Sequence, residues 1–354
     1  MDKNGILVYG CYGYTGELIS EHAVKSGLRP TLAGRDEVRV KQMADKLGLP
    51  YLVFGLDDVA AVANNIAPFK VVLHCAGPFK YTSNIMVNAC LKSGTHYLDI
   101  TGEYQVFEDV FKRDADAAKA KILLMAGVGF DVVPSDCLAL YLKEQMPNAE
   151  FLELALVQKG GRISHGTAIT VAENVNGGCM VRQQGKLINE KSGYNTRTID
   201  IGDKQPRTGV AISWGDISTA YRSTRIPNIT VYNVVPKKVI DSMKLSNYIG
   251  FILDWKPVKN YIIKQIKQRP AGPNAEQRQK AQTFVWGEVR NPLGATKQAV
   301  LQLPEGYTLT ALTGVEIAKQ ILTNEPPYGA RTPAQVFGAD FITKFEGVKR
   351  TDLN

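Results

Sequence analysis

Three glycines near the start of the chain have a spacing that suits phosphate binding. Gly10, Gly13 and Gly16 lie between an apolar run, Ile6–Tyr9, and a segment of helical periodicity. Glycine lets a backbone approach a pyrophosphate closely, and the N-terminus of the following helix favours an anion. The spacing is one residue longer than the usual dinucleotide fingerprint, so a turn without a ligand is the alternative. We predict that the cofactor-binding residues of this turn are Gly10, Tyr12, Gly13, Tyr14, Thr15 and Gly16.

The end of the second predicted strand, residues 30–34, indicates which dinucleotide is bound. An NAD site has a carboxylate at this point for the ribose 2′-hydroxyl. Here the residue is Arg35, and a guanidinium can pair with a 2′-phosphate through two parallel hydrogen bonds. Asp36 follows and is better suited to be a helix N-cap. We therefore predict NADP(H) as the cofactor; the alternative is that Arg35 is only a solvated loop cation.

A second loop at the same predicted sheet edge follows the run Val71–Cys75. The turn Gly77-Pro78 closes this strand, and in a doubly wound sheet the loop lies next to the nicotinamide side of the cofactor. We therefore add four cofactor-binding residues to the prediction: Ala76, Gly77, Pro78 and Phe79.

Tyr81, Glu103 and Asp131 are the candidates for proton donor or substrate anchor. A phenol such as Tyr81 can donate a proton beside a hydride acceptor, although a packing tyrosine is the alternative. Asp99 and Glu103 occupy alternate positions near the end of a predicted strand, where such side chains can face the ligand crevice. Asp99 can equally brace the turn. Asp131 precedes a helix that opens near Pro134, so it has an alternative role as a cap.

Residues 5–126 alternate between strand-like and helix-like segments, which is typical of a parallel sheet with crossover helices. The predicted strands are 6–10, 30–34, 51–54, 70–76, 97–100 and 121–126. The predicted helices are 14–27, 37–48, 57–65, 83–93 and 104–120. The fold class is therefore α/β, with an N-terminal NADP-binding Rossmann domain built on a doubly wound parallel sheet.

The pattern changes near residue 150. We predict a strand at 151–158, a helix at 166–182, and a hairpin of 283–290 with 296–303 around Asn291-Pro-Leu-Gly294. These segments predict a second α+β domain with a mixed or antiparallel sheet. The predicted domains are 1–148 for dinucleotide binding, 149–325 for substrate binding and dimerisation as a homodimer, and 326–354 as a C-terminal segment that packs back on the Rossmann domain.

The composition narrows the class of protein. The 354 residues are 44% hydrophobic, enough for a sizeable core, and no stretch reaches the length of a membrane span. The chain enters a strand at once, which predicts no secretion signal. Five scattered cysteines predict reduced thiols, a cytoplasmic setting and no metal site. The net charge of +8 suits an anionic cofactor, substrate or membrane surface, and the pattern does not predict nucleic-acid binding.

A basic amphipathic segment at residues 237–269 stands apart from the rest. The segment contains eight Lys or Arg residues and only two acidic residues, and Trp255, tyrosines and isoleucines are interleaved with them. Such a segment can lie on an anionic membrane, which predicts peripheral membrane contact through 248–269. The alternative is an ordinary helix packed on its own domain with a solvated basic face.

The assembled motifs resemble those of the saccharopine-dehydrogenase-like oxidoreductases, in the branch that contains trans-acting enoyl reductases. The matching stretches are Gly10–Leu18, Leu32–Arg35, Cys75–Phe79, Ala89–Cys90, Gly94–Asp99, Thr101–Glu103 and Gly129–Asp136. The resemblance implies NADPH-dependent hydride transfer to a polarised C=C, C=O or C=N bond, with a lipid-like substrate in that branch. Cys11 stands where the family usually has alanine. The alternative function is a non-catalytic NADP(H)-binding sensor or membrane-associated binding protein.

Overall fold

A computed structural model describes residues 3–160, 163–173, 178–253 and 255–353. The strands in these ranges are β1 (Ile6–Tyr9), β2 (Thr31–Gly34), β3 (Tyr51–Val53), β4 (Val71–His74), β5 (His96–Asp99), β6 (Leu123–Met125), β7 (Phe151–Lys159), β8 (Cys179–Gln183), β9 (Lys186–Glu190), β10 (Thr196–Ile199), β11 (Arg207–Ala211), β12 (Asn228–Val234), β13 (Gln282–Arg290), β14 (Thr296–Leu303), β15 (Gly329–Ala330) and β16 (Lys349–Leu353).

The helices in the same ranges are α1 (Tyr14–Lys25), α2 (Glu37–Leu47), α3 (Val59–Ile66), α4 (Phe79–Ser93), α5 (Tyr104–Phe111), α6 (Asp114–Lys119), α7 (Val133–Gln145), α8 (His165–Glu173), α9 (Asp216–Thr224), α10 (Lys237–Leu253), α11 (Lys256–Lys267), α12 (Ala275–Lys280), α13 (Gly306–Thr323) and α14 (Pro333–Phe337), with a 3₁₀ helix at Ile342–Lys344.

The chain divides into two compact units. The first is Met1–Val133 with Gly306–Phe337, and the second is Pro134–Glu305 with Gly338–Asn354. This division differs from the predicted borders after residues 148 and 325. Helix α13 belongs to the first unit because it packs against α1 and β4, and β16 belongs to the second because it pairs with β14.

The first unit contains a seven-stranded sheet in the order β15-β6-β5-β4-β1-β2-β3, in which every neighbouring pair is parallel. Strands β1, β4 and β5 are buried along their whole length, as expected for parallel strands covered on both faces. The predicted Rossmann fold is confirmed. The strand order reverses between β1 and β4, so a ligand crevice is expected beyond the carboxyl ends of these two strands.

Two predicted helices of the first unit differ substantially from the structure, whereas the other three agree with it within two residues at each end. Helix α4 begins at Phe79, four residues before the predicted start, because Pro78 is its N-cap and the fixed φ of proline suits that position. The predicted helix 104–120 is interrupted, so that α5 and α6 are separate helices. At Arg113, between them, the backbone angles are φ −94° and ψ 13°, outside the regular α-helical range.

The second unit contains a mixed nine-stranded sheet with the path β10-β11-β12-β7-β13-β14-β16, to which β8 and β9 attach beside β12. The predicted hairpin is confirmed, with Arg290 opposite Thr296 at its turn. The predicted helix 166–182 is wrong in its second half. Helix α8 ends at Glu173, and β8 pairs antiparallel with β9 and buries Cys179 and Val181; residues 174–177 lie outside the described residues.

The basic segment folds as α10 and α11, not as one helix. Ile266 of α11 is buried, whereas Trp255, which directly precedes α11, is exposed. Across the described ranges of the chain, no helix is long and apolar enough to cross a membrane.

Candidate cofactor site

The turn between β1 and α1 needs glycine at two positions because other atoms are too close. Gly10 has a φ of +85°, and a Cβ atom on it would lie 2.9 Å from the backbone nitrogen of Ala76. A Cβ atom on Gly16 would lie 2.2 Å from the Gly10 carbonyl oxygen. The turn therefore packs directly against both the first turn of α1 and the strand end that carries Ala76.

Helix α1 begins without a side-chain cap. Its N-cap is Gly13, whose amide donates to the Gly10 carbonyl at 3.0 Å. The next two helices differ, because Asp36 caps α2 through the amide of Arg39, at 3.1 Å, and Asp58 caps α3 in the same way. First-turn amides have no intrahelical acceptor and carry partial positive charge. The N-terminus of α1 therefore fits an anion supplied from outside the chain.

Tyr12 connects the glycine turn to the end of β2. A Cβ atom on Gly34 would lie 2.4 Å from the Tyr12 ring. The Arg39 guanidinium lies 4.5 Å from the centre of that ring and donates to the Tyr12 carbonyl at 2.9 Å. Arg35, directly after β2, is exposed. Because Asp36 accepts from the Arg39 amide, the predicted N-cap role of Asp36 is confirmed, and an exposed guanidinium stands where an NAD site has its carboxylate.

The other residues predicted in this turn lie in the first turn of α1. The Tyr14 ring packs edge-on against the ring of Tyr307, with centroids 5.0 Å apart. Thr15 is half-buried. Cys11 is completely buried, and its burial raises the pKa of the thiol to about 11. This thiol is therefore protonated near neutral pH and is a poor nucleophile.

The loop Ala76–Phe79, which contains a cis peptide bond between Gly77 and Pro78, is held by Thr82. The Thr82 hydroxyl donates to the Ala76 carbonyl at 2.7 Å and lies 2.9 Å from His74 Nε2. The His74 ring packs edge-on against Phe79 at 5.4 Å. Burial lowers the pKa of His74 to about 3, so its imidazole is neutral.

The sequence prediction missed His74. The signal that was available is a histidine at the end of a buried apolar strand, immediately before the Gly-Pro turn. Polar side chains at the carboxyl ends of parallel strands face the ligand crevice or support the loops around it. Here the histidine supports the loop from beneath.

Glu103 contacts the same loop from the other side. Its Oε1 accepts from the amide of Phe79 and its Oε2 from the amide of Lys80, both at 2.9 Å. Its side chain is almost fully buried. The carboxylate thus occupies the N-terminus of α4, a structural contact that the sequence did not reveal.

A hydrogen-bonded brace holds Glu103 in place. The Thr101 hydroxyl accepts from the amide of Glu103 at 3.0 Å. The carboxylate of Asp99 accepts from the Thr101 amide at 3.0 Å, the Gly127 amide at 2.8 Å and the Tyr97 hydroxyl at 2.6 Å. Burial raises the pKa of Asp99 to about 6. Of the two roles left open for Asp99, the structure shows the one that braces the turn.

Asp131 lies against this brace. A Cβ atom on Gly102 would lie 3.0 Å from Asp131 Oδ2. Burial raises the pKa of Asp131 to about 7, so protonated and ionised forms coexist near neutral pH. The preceding residue is held by α13, where the Thr310 hydroxyl accepts from the amide of Phe130 at 3.0 Å.

Tyr81 lies in the first turn of α4, and 61% of its surface is exposed. The Lys80 ammonium is 5.0 Å from the centre of the Tyr81 ring. The structure thus places Tyr81, Glu103 and Asp131 around the two loops that follow β4 and β5. Their catalytic roles stay predictions. Among the described residues, no group of three or more His, Cys, Asp or Glu side chains could hold a metal ion.

The strand order, the glycine turn and the uncapped N-terminus of α1 define the first unit as a dinucleotide-binding Rossmann domain. Residues 6–125 match the family model of the saccharopine dehydrogenase NADP binding domain, so this part of the chain is similar to that family. The predicted resemblance and the predicted class of cofactor, a nicotinamide dinucleotide, are thereby confirmed.

Two curated relatives match part of the chain. The saccharopine dehydrogenase-like oxidoreductase of Mus musculus is 30% identical over 161 residues, which cover 40% of this chain and 38% of that protein. The trans-acting enoyl reductase of Mycobacterium ulcerans is 33% identical over 141 residues, which cover 37% of this chain and 33% of that protein. The matches therefore span less than two fifths of these relatives.

A solved structure extends the likeness to the second unit. Apo saccharopine dehydrogenase (L-Glu forming) from Saccharomyces cerevisiae superimposes with a TM-score of 0.67 over 99% of this chain and 100% of that chain. The sequence identity is 10%, so this comparison shows a shared fold and nothing about the substrate.

Proposed function

We propose that this protein is an NADPH-dependent oxidoreductase that transfers hydride to a polarised C=C, C=O or C=N bond. One observation carries the proposal: the turn at Gly10–Gly16 fits a pyrophosphate, and an exposed Arg35 stands at the tip of β2 while Asp36 is committed to capping α2. The bound nicotinamide would supply the hydride. The remaining chemistry falls to residues of the chain.

The glycine turn, Arg35 and the Ala76–Phe79 loop each have a task in this proposal. The amides at the start of α1 bind the pyrophosphate, since Gly13 offers no side-chain acceptor of its own. Arg35 pairs with the 2′-phosphate through its planar guanidinium. The Ala76–Phe79 loop flanks the nicotinamide, and Thr82 and Glu103 fix the backbone of this loop from two sides.

Asp131 is our proposed proton donor. Its burial raises the pKa of its carboxyl group to about 7, and a general acid works best when its pKa is near the working pH. Glu103 is a positioning residue in this proposal, because both of its carboxylate oxygens accept backbone amide hydrogens. Tyr81 is the alternative proton donor, since its exposed phenol stands at the start of α4.

We further propose a lipid-like substrate with an activated C=C bond. The support is the match to relatives whose name is trans-acting enoyl reductase, together with a net charge of +8, which suits an anionic acyl carrier or head group.

Cofactor titration tests the proposal. Wild-type protein should bind NADPH saturably and more tightly than NADH, and Arg35→Ala should lose most of that preference, about tenfold or more. Arg29→Ala is the matched control, because Arg29 precedes the amino end of β2 and bonds to the carbonyl of Gly48. An unchanged NADPH/NADH ratio in Arg35→Ala would refute the assignment of Arg35.

Turnover separates the proposal from the alternative of a cofactor-binding sensor. NADPH oxidation is followed with enals, imines and quinones as acceptors. Oxidation with at least one acceptor class is expected. Tight NADPH binding without oxidation across the whole panel would favour the sensor and contradict the oxidoreductase.

A further inference from the structure

The second unit exposes large apolar side chains on two consecutive helices. On α10, Leu245 is 54% exposed and Tyr248 is 66% exposed; at and after the start of α11, Trp255 and Tyr261 are 64% and 63% exposed. An ordinary amphipathic helix buries its apolar residues and exposes its charged ones. Here Ile266 follows that rule, whereas the aromatic residues do not. The aromatic residues on this surface therefore need an explanation other than packing.

A clamp fixes part of this surface. The Asn247 side chain accepts from the amide of Ser192 at 3.0 Å and donates to its carbonyl at 2.9 Å. Gly193 has a φ of +83°, and a Cβ atom on it would lie 2.9 Å from the backbone nitrogen of Lys244. The loop before β10 is thus locked against α10, in a conformation that glycine permits.

The clamp brings a second tyrosine beside the first. The Tyr194 hydroxyl lies 3.3 Å from the Tyr248 hydroxyl, and Tyr194 is 51% exposed. The Lys244 ammonium lies 5.5 Å from the centre of the Tyr194 ring. Two exposed phenol groups and a lysine are therefore held together by contacts that belong to the fold.

Helix α11 repeats the combination of aromatic and basic groups. Tyr261 and Lys264 are three residues apart and so share one face of the helix, and both are exposed. Lys256, beside Trp255, is also exposed. We call the exposed faces of α10 and α11, together with Tyr194, the basic-aromatic surface.

The charge of this surface selects among partners. Residues 237–269 contain eight Lys or Arg and two Asp. Two copies of so cationic a segment repel each other, which argues against self-association through it. Tyr and Trp prefer the membrane–water interface, lysine favours anionic lipid, and an exposed aliphatic residue such as Leu245 suits the acyl boundary. Nucleic acid would account for the lysines but not for Leu245.

We propose that the basic-aromatic surface docks this protein peripherally on an anionic lipid bilayer. The lysines attract the head groups, and Leu245, Tyr248, Trp255 and Tyr261 enter the interface. This inference does not depend on the proposed reaction, because cofactor binding lies in the first unit and can be measured separately.

Co-sedimentation with vesicles tests the proposal. The full-length protein is mixed with phosphatidylcholine vesicles that contain or lack phosphatidylserine, at low and at high salt. Binding should require phosphatidylserine and weaken as salt rises. Absence of binding to the phosphatidylserine vesicles, or equal binding to both kinds, would overturn the proposal.

Two variants locate the contact. Lys256→Glu with Lys264→Glu should reduce vesicle partitioning by about fivefold or more for each lysine, and Leu245→Ser with Tyr248→Ser should reduce it independently of salt. Lys112→Glu with Lys119→Glu is the charge-matched control, since these exposed lysines lie in the first unit. All variants should keep wild-type NADPH binding, which reports folding of the first unit.

Three results would contradict the lipid assignment. The first is an equal loss of vesicle binding in the control variant. The second is a change of oligomeric state in the Leu245→Ser, Tyr248→Ser variant, by light scattering, without any effect on vesicles. The third is tighter binding of a single-stranded RNA than of phosphatidylserine vesicles.

Discussion

Helices α1 and α4 begin at the same edge of the parallel sheet, after neighbouring strands, but their N-termini are in opposite states. The N-cap residue of α1 is Gly13, which has no side chain that could accept from the first-turn amides. Helix α4 is closed by the Glu103 carboxylate, which accepts from the amides of Phe79 and Lys80. An N-terminus that already holds an internal anion has no need of an external one. This difference is the reason for our proposal that α1 receives the phosphates and that α4 only frames the site.

The largest effect is expected when a methyl group is added at the N-terminus of α1, which has no side-chain cap. Gly16→Ala places a Cβ atom where the Gly10 carbonyl oxygen lies only 2.2 Å away, so the turn must shift. We expect NADPH affinity to fall by more than about a hundredfold, with a loss of stability of roughly 1–3 kcal/mol from overpacking. Titration with NADPH and thermal unfolding measure the two effects.

Gly314→Ala is the control for this prediction. Its Cβ atom would meet its neighbours at 3.7 Å or more, and alanine is the better helix former by about 1 kcal/mol. Wild-type affinity in Gly16→Ala would show that the turn is not the phosphate site.

Removing the Glu103 carboxylate from the N-terminus of α4 tests the other half of the comparison. Glu103→Ala leaves the amides of Phe79 and Lys80 without their acceptor, so the free energy of unfolding should fall by roughly 2–4 kcal/mol. Glu103→Gln keeps one acceptor oxygen and should lose less. Chemical denaturation measures both variants. Asp58→Ala is the control, since Asp58 caps α3 at an exposed position and should cost about 1 kcal/mol.

The same variants distinguish a positioning role for Glu103 from a catalytic one. Loss of turnover in Glu103→Ala at undiminished stability would make Glu103 the proton donor and refute its role as a cap. A loss of stability with weaker NADPH binding is the expected result.

The pH dependence of stability tests the burial of the Asp131 and Asp99 carboxyl groups, which lie near the N-terminus of α4. The pKa of Asp131 in the folded chain, about 7, lies above its ordinary value of 3.8. Asp131 is therefore more protonated in the folded chain than in the unfolded chain between about pH 4 and pH 7, and its contribution to the free energy of unfolding should fall as pH rises through this window. We expect a change of roughly 1–3 kcal/mol.

Variants assign this pH dependence. Asp131→Asn should remove most of it, measured by urea denaturation at several pH values. Asp99→Asn should remove a smaller part, since the pKa of Asp99 is about 6. An Asp131→Asn variant that keeps the full pH dependence of the wild type would contradict the burial of the Asp131 carboxyl group.

The smallest expected effect concerns the contact between Arg39 and Tyr12 beside the N-terminus of α1. Arg39→Ala removes the guanidinium from the Tyr12 ring and from the Tyr12 carbonyl. The free energy of unfolding should therefore fall by less than about 2 kcal/mol. NADPH affinity should fall less than tenfold, and the NADPH/NADH ratio should stay close to that of the wild type. A collapse of the ratio would move the 2′-phosphate contact from Arg35 to Arg39.

The features that the sequence predicted well are local. The glycine turn, the Asp36 cap and the hairpin at Asn291–Gly294 each depend on a few consecutive residues, whose types determine their backbone angles. The cap of α4 by Glu103 was missed because Glu103 is 24 positions from Phe79 and 23 positions from Lys80 in the sequence. The His74–Thr82 contact likewise needs the fold of the loop between them.

The error in the predicted helix 166–182 has a similar origin. An apolar run such as Cys179–Val181 suits a helix or a strand, and periodicity alone does not separate the two. Pairing with β9 decides in favour of the strand. The exposure of Tyr248 and Trp255 also depends on tertiary packing, which no sequence pattern reports.

The most direct test of the central claim is a crystal structure of the protein with NADPH bound. We predict the pyrophosphate within hydrogen-bond distance of the amides at the start of α1, the 2′-phosphate against Arg35, and Glu103 still bonded to Phe79 and Lys80. A pyrophosphate at the N-terminus of α4, with Glu103 displaced, would contradict the account.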